Sequence, residues 1–438
     1  LGWVKGVHRL LEGAVLIVEA GKIAHLGLAD EPLPEALQRN VEGAKVVDLP
    51  MGLALPGLAN AHHHAYSALA RGMPIAGPMR DFEEVLAKLW WPLDRSLSME
   101  AVELSALLTA MDCVRSGVTS LADHHASPSA LRGSLEVVAR ALGTLGLRAL
   151  LSFEISDRYG EAGMRAALEE NLSFAQNRKS DSRLRGLLGL HASFTLCDQT
   201  LGMIAAQSPA QLPIHVHVAE DKCDVEHAKK LGYPGPLMRL ASFGLLRPRS
   251  LVVHGVHLSD DEIPLLQQHD AYVVHNPESN ANNRVGTADL SRFPSQRVLI
   301  GTDGMGSNIL GSLRAAFLSG ASTSARPDEA MERTMGCAWR NTAAYFEQSF
   351  GEPCGRIEVG QEADFAIFDY PSPTPLTEHN LDAHLLYGLS ASPVARWVYA
   401  HGQLVLDDGR FVGLDVEALL KEARQVAAKL WKSLCGAR

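Results

Sequence analysis

A chain of 438 residues with 46 % hydrophobic and 21 % charged side chains can bury a large core and carries no disorder signature. A formal net charge of −10, with no basic stripe interleaved with aromatics, argues against a nucleic-acid partner and for a small-molecule substrate. The length suits one barrel-sized domain with an appendage, or two ordinary domains. Six cysteines lie scattered with no CxxC pair, so neither a disulfide framework nor a thiolate zinc site is indicated, which favours the cytoplasm. The apolar run Ala14 to Val18 is flanked by Glu12 and Glu19, which spoils both a signal segment and a membrane span. The start at Leu1 rather than Met leads us to expect that the first few native residues are missing.

Taken in order, Gly13 to Leu28 alternates apolar and polar residues around Ala20-Gly21-Lys22 and predicts a β-hairpin, with a further short strand at Lys45 to Leu49. The run from Ala54 to Ala61, broken by Pro56 and Gly57, predicts a buried strand that ends at His62, His63 and His64. Strand alternation puts His62 and His64 on one side and His63 on the other. On the triplet alone, a metal site and a hydrogen-bonded histidine cluster are both open readings. Tyr66 to Asp94 is an excursion whose Phe82, Leu86, Leu89 and Trp90 form a lid or ordinary packing. Met99 to Ser116 keeps helical spacing and Gly117 stops it, ahead of a strand at Val118 to Asp123.

Further strands are expected at Arg148 to Ile155, Arg185 to His191, Pro213 to Ala219, Leu251 to Val256, Ala271 to Asn276 and Val298 to Asp303. With the strand before the triplet these make eight, the pattern of a (β/α)₈ TIM barrel within the α/β class. Downstream, Ala363 to Asp369, Arg396 to Ala400 and Gln403 to Leu406 read as strands turning at Gly402 and Gly409, and they are expected to form one small β-sandwich with the N-terminal strands. A final helix from Val416 to Leu434 puts Leu419, Leu420, Ala423, Val426, Ala427 and Leu430 on one face, with Asp415 as N-cap. The expected division is sandwich over 1–53, barrel over 54–350, and sandwich plus helix over 351–438.

Barrel active sites lie at the C-terminal strand ends. Those ends carry His62 and His64, His191, His215 and His217, His254, His275 and Asp303. Any one could be a packed imidazole, but their common address points to a site. A catalytic metal needs about three nitrogen or oxygen ligands and an open position for a water whose pKa it lowers. His62, His64, His217 and Asp303 supply that set, and Asp303 could also take the water's proton. Glu220, three residues past His217, is placed as general acid and base, and His254 to polarise the water or the leaving group. The plain alternatives are a solvated carboxylate beside Asp221 for Glu220 and a turn residue before Gly304 for Asp303.

Pro56-Gly-Leu-Ala-Asn-Ala-His62-His63-His64, His217-Val-Ala-Glu220, His254-Gly-Val, His275-Asn-Pro-Glu-Ser-Asn280 and Gly301-Thr-Asp303-Gly304 resemble the ordered motifs of the amidohydrolase superfamily. The cytosine deaminase and triazine hydrolase branch, which includes guanine, 8-oxoguanine and adenosylhomocysteine deaminases, is the nearer match. Within it, His62-His-His-Ala-Tyr-Ser67, Leu89-Trp-Trp-Pro-Leu-Asp94, Asp123-His-His-Ala-Ser-Pro128 and His191-Ala-Ser-Phe-Thr195 are similar to the SsnA-type aminohydrolases. Gly355 to Asp364 is similar to that group's return into the terminal sandwich. The resemblance implies a distorted barrel with a β-sandwich, a homodimer, and hydrolytic deamination of a heterocycle by one divalent metal ion, zinc or iron. His62, His64, His217 and Asp303 match its metal positions, and Glu220 and His254 its proton-handling positions. Many relatives have Cys-Pro in place of Asn276-Pro277 and His-Ala-Pro in place of His191-Ala-Ser193, while Glu278 adds a carboxylate. His191, Tyr66 and Glu278 are the expected substrate contacts.

Three alternatives compete. A two-metal cyclic-amide hydrolase generally needs a carbamylated lysine on the fourth strand, and Arg185 to His191 has none. A chlorohydrolase would use the same metal. A non-catalytic scaffold on this fold would be expected to lose metal ligands, and none is missing.

Overall fold

The computed structural model describes residues 3–4, 7–8, 10–38, 43–75, 77–323 and 327–436. Short, near-continuous apolar runs such as Leu-Val-Val-His at Leu251–His254 and Tyr-Val-Val-His at Tyr272–His275 become fully buried parallel strands. One parallel sheet holds Leu58–His63, Val118–His125, Arg148–Phe153 and Leu184–Gly186; a second holds Leu188–Ala192, Ile214–Val218, Leu251–His254, Tyr272–His275 and Val298–Ile300. Leu184–Gly186 and Leu188–Ala192 are two halves of the fourth barrel strand. Around that break, Leu187 N–H donates to Leu151 O at 2.9 Å and His191 N–H to Ile155 O at 3.0 Å. At the other seam, the N–H groups of Thr302 and Asp303 both donate to His62 O, at 3.0 and 3.1 Å, beside a parallel bridge between His63 and Asp303. The eight strands thus form the expected barrel, and the closing seam runs through two of the candidate site residues.

Both chain ends build the small sandwich. The hairpin Ala14–Glu19 and Lys22–Leu28 turns through Ala20 and Gly21, whose φ values of 48° and 77° fit the tight turn that matches strand twist. It packs through Ile23 on a five-stranded antiparallel sheet in the order Arg410–Phe411, Gln403–Asp407, Ala395–Ala400, Phe365–Asp369 and Gly52–Pro56.

The single strand expected over Ala54 to Ala61 is therefore two. Gly52–Pro56 pairs with Phe365–Asp369 in the sandwich, and Leu58–His63 pairs with Val118–His125 in the barrel. The chain changes layer at Gly57, where a Cβ would fall 2.2 Å from Thr119 Oγ1 and 2.6 Å from Asp364 Oδ1. The strand expected at Lys45 to Leu49 does not form. Val46 there is 84 % exposed and no strand pairs with it, while Lys45 reaches Asp407 at 2.7 Å.

Helix Met99–Arg115 starts at Ser98, whose hydroxyl accepts from Ala101 N–H at 3.2 Å, and Gly117 beyond it adopts φ 74°. The last helix, Val416–Gly436, is capped by Asp415, buries Leu419, Ala423, Val426 and Leu430, and donates from Trp431 Nε1 to Leu69 O at 2.8 Å. The excursion after the first barrel strand folds into Ala65–Ala70, Phe82–Val85, Leu86–Trp90 and Trp91–Ser96. Among the described residues no helix is long and apolar enough to cross a membrane.

Candidate active site

Four donor atoms from three strand ends converge. His64 Nε2 lies 3.2 Å from His217 Nε2 and 3.0 Å from Asp303 Oδ1; His62 Nε2 lies 3.3 Å from His217 Nε2 and 3.5 Å from Asp303 Oδ1. The far sides of two rings are fixed. His64 Nδ1 donates to His124 O and His217 Nδ1 to His191 O, both at 2.6 Å, and a carbonyl can only accept. Both Nε2 atoms therefore present lone pairs to each other across 3.2 Å, an arrangement that calls for a positive charge between them.

The electrostatics agree. Burial pushes His62 and His217 well below the usual imidazole range, which keeps them neutral. Burial disfavours charge on His64 too, but the hydrogen bond and charge of Asp303, with Glu154 behind, outweigh it and hold His64 up at about 9. Burial raises Asp303, yet the hydrogen bonds from His62 and His64 prevail and keep it ionised. Without a cation, His64 takes up the proton that a metal would replace. Ligands about 2.1 Å from a tetrahedral zinc sit about 3.4 Å apart, close to the separations here, so this donor set fits a metal ion. His63 faces the other way, with Nε2 3.1 Å from Ser307 Oγ.

Beside this cluster stand the candidate proton carriers. His254 Nε2 is 3.4 Å from Glu220 Oε2 and 3.7 Å from Asp303 Oδ2, and its Nδ1 meets Asn280 Oδ1 at 2.8 Å. Glu220 accepts from Asn283 Nδ2 at 3.1 Å, and burial pushes its carboxyl up while the facing His254 opposes this. Ser279 Oγ donates to Asp303 Oδ2 at 2.5 Å. Ala219, His254 and Asp303 all take positive φ (51°, 72° and 55°), so the chain leaves three strand ends in the sparsely populated left-handed region at this one place.

The cavity in front of these groups is lined by His64, His217, Glu220, His254 and Asp303 on its polar floor, with Tyr66, Phe82, Leu86, Trp90, Phe194 and Met305 as walls. The excursion is thus both packing and wall. The free space in the cavity measures about 50 Å³.

Of the expected substrate contacts, His191 and Tyr66 line the cavity and Glu278 does not. Glu278 sits in the short helix Pro277–Asn282, whose Ser279 and Asn280 face inward, and its carboxylate turns out to Ser312 Oγ at 2.6 Å. His215 lies one layer deeper than His217 and meets His62 Nδ1 at 2.8 Å. His275 is buried, has no hydrogen-bond partner among the described residues, and does not line the cavity. Sequence reasoning missed Glu154, His124, Ser279 and Asn283. Of these, the polar residues at helical spacing after His275 were a readable signal.

A profile of the amidohydrolase family matches residues 53–405. The chain belongs to the amidohydrolase family. It is a hydrolase of carbon–nitrogen bonds other than peptide bonds, and the sequence expectation of a metal-dependent aminohydrolase is met. The chain is 28 % identical to a 5'-deoxyadenosine deaminase of Methanosarcina acetivorans, over 96 % of this chain and 94 % of that one. It is 31 % identical to a 5-methylthioadenosine/S-adenosylhomocysteine deaminase of Natronomonas pharaonis, over 92 % and 93 %. Among solved structures it resembles a zinc-bound adenosine deaminase from Xanthomonas campestris (TM-score 0.79, 24 % identity, 97 % and 95 % covered). It also resembles a zinc complex of atrazine chlorohydrolase from Arthrobacter aurescens (TM-score 0.76, 20 % identity, 94 % and 95 % covered).

Proposed function

We propose that this chain removes an amino group hydrolytically from an aminopurine, pterin or similar ring, using one divalent ion, zinc or iron, held by His62, His64, His217 and Asp303. The observation that carries the proposal is the facing pair of Nε2 lone pairs, each ring fixed from behind by a carbonyl. A bound divalent ion supplies a Lewis acid that brings a water's pKa towards neutral. Every other step falls to side chains. Asp303, with His254 at 3.7 Å, holds the attacking water and takes its proton. Glu220, whose carboxyl burial pushes up, donates to the ring nitrogen beside the aminated carbon and makes that carbon electrophilic. Asp303 passes the water's proton to the departing amine, the new hydroxyl's remaining proton returns to Glu220, and ammonia leaves. Tyr66, Trp90 and Phe194 flank the ring faces, and His191 reads one edge.

The proposal includes a cytoplasmic homodimer acting on a small molecule. Cys113, Cys197, Cys223, Cys337 and Cys354 are free thiols, three of them buried, which suits a reducing compartment. The test is ammonia release by metal-loaded protein from a panel of aminopurines, pterins and aminopyrimidines, with at least one ring turned over. No ammonia from any ring, together with efficient hydrolysis of carbon–halogen or amide bonds, overturns it.

A further inference from the structure

Glu154 follows the third barrel strand, is 2 % exposed and lines the cavity beside His191 and Tyr66. Its backbone N–H donates to His125 O at 2.8 Å, which fixes the residue at the strand end. Its carboxyl has no such tie. Three imidazole nitrogens face it: His64 Nδ1 at 3.7 Å, already donating to a carbonyl, His124 Nδ1 at 3.7 Å and His191 Nε2 at 3.8 Å, all beyond hydrogen-bond distance. Among the described residues nothing donates to it.

The neighbouring imidazole makes the same demand. Thr195 Oγ1 gives its one proton to Ala192 O at 3.0 Å, so it can only accept from His191 Nδ1, 3.0 Å away. With Nδ1 donating to Thr195, the tautomer this geometry selects leaves Nε2 as the acceptor. Two acceptors, Glu154 Oε2 and His191 Nε2, stand 3.8 Å apart at the edge of the cavity, and among the described residues no donor lies between them. A carboxyl oxygen accepts whether or not the group is ionised.

Resting on the deaminase reading above, we propose that Glu154 is a specificity-determining residue that accepts a hydrogen bond from a ring N–H of the substrate. The substrate class is then a free-base or oxo-substituted aminoheterocycle, with a lactam or imidazole N–H on the edge away from Glu220. An adenosine-type ring, substituted at N9, offers only acceptors there and leaves both protein acceptors unmet. Sites built to bond a donor reject analogues that lack it by large factors.

The test uses full-length metal-loaded protein and four rings: adenine, isoguanine and 9-methylisoguanine, which carry a ring N–H, and 9-methyladenine, which carries none. Equilibrium binding, followed by titration calorimetry, is expected to favour the first three by on the order of tenfold or more. Glu154→Ala should reduce that preference to below about threefold while one metal per chain is retained. Glu154→Gln, which keeps an acceptor oxygen and the side-chain volume, should preserve part of it and serves if the alanine variant does not fold. Equal binding of 9-methyladenine, no binding of any ring, or a preference that survives Glu154→Ala overturns the proposal. If rings bind with this preference but none releases ammonia, the deaminase reading falls and the recognition role of Glu154 stands.

Discussion

Two walls of one cavity treat their polar atoms in opposite ways. Where strands one, five, six and eight end, the far side of each working group is tied down: His64 and His217 to carbonyls, His254 to Asn280, Glu220 to Asn283, Asp303 to Ser279. Only the atoms facing the cavity are left free. Where strand three ends, the Glu154 carboxylate stands 3.7 to 3.8 Å from its imidazole neighbours, and among the described residues neither ring nitrogen of the adjacent His124 has a hydrogen-bond partner. The first wall is rigid because its chemistry needs fixed distances. The second is incomplete because a ligand completes it.

The sharpest way to break this contrast is to remove proton transfer from the first wall. Glu220→Gln should keep the metal and lose on the order of 10² to 10⁴ in kcat, measured by ammonia release. A wild-type rate would remove Glu220 from the mechanism. Asn280→Ala frees His254 Nδ1 and should cost roughly 10- to 100-fold in activity, as loss of orienting partners around such sites does. An unchanged rate would show that His254 needs no orientation.

Two further predictions concern stability rather than turnover. Gly57→Ala puts a Cβ within 2.2 Å of Thr119 Oγ1 at the crossing from sandwich to barrel, and should cost about 1–3 kcal/mol in chemical denaturation with kcat preserved. Acid should destabilise the fold before the carboxylates titrate. Burial holds His125 and His401 down at about 4 and His215 and His275 at about 3, so these rings stay neutral when folded. Unfolded, they take up protons below pH 6.5. Their stabilisation is therefore complete above about pH 6.5 and is lost as pH falls from there towards 4, by at most roughly 1.4 kcal/mol per group per unit. A melting temperature that is flat across that window would contradict the assignment of neutral buried rings.

Much of the site was legible because barrel topology gives strand ends one address and strand parity gives them one face. Those two rules gather His62, His64, His191, His215, His217, His254, His275 and Asp303, and ligand chemistry with the family motifs singles out His62, His64, His217, His254 and Asp303. Depth does not follow: His215 and His217 share a face two residues apart, and only packing shows that His215 sits below and supports His62. Glu278 failed because the chain after His275 turns helical at once, so its neighbours Ser279, Asn280 and Asn283 face the site in its place. Glu154 went unseen because one carboxylate at a strand end without histidines carries no motif. The sandwich-to-barrel crossing was hidden in a continuous apolar run, since Leu53 to Ala61 is buried or nearly so in both layers and only Gly57 marks the change.

The central claim is that His62, His64, His217 and Asp303 together hold one metal ion. Elemental analysis of purified protein and of a His62→Ala, His64→Ala double variant, both loaded with zinc or iron and then desalted, tests it directly. Close to one equivalent per chain in the wild type and close to none in the variant is the predicted result. A wild type that binds no metal, or a double variant that stays fully occupied, would contradict it.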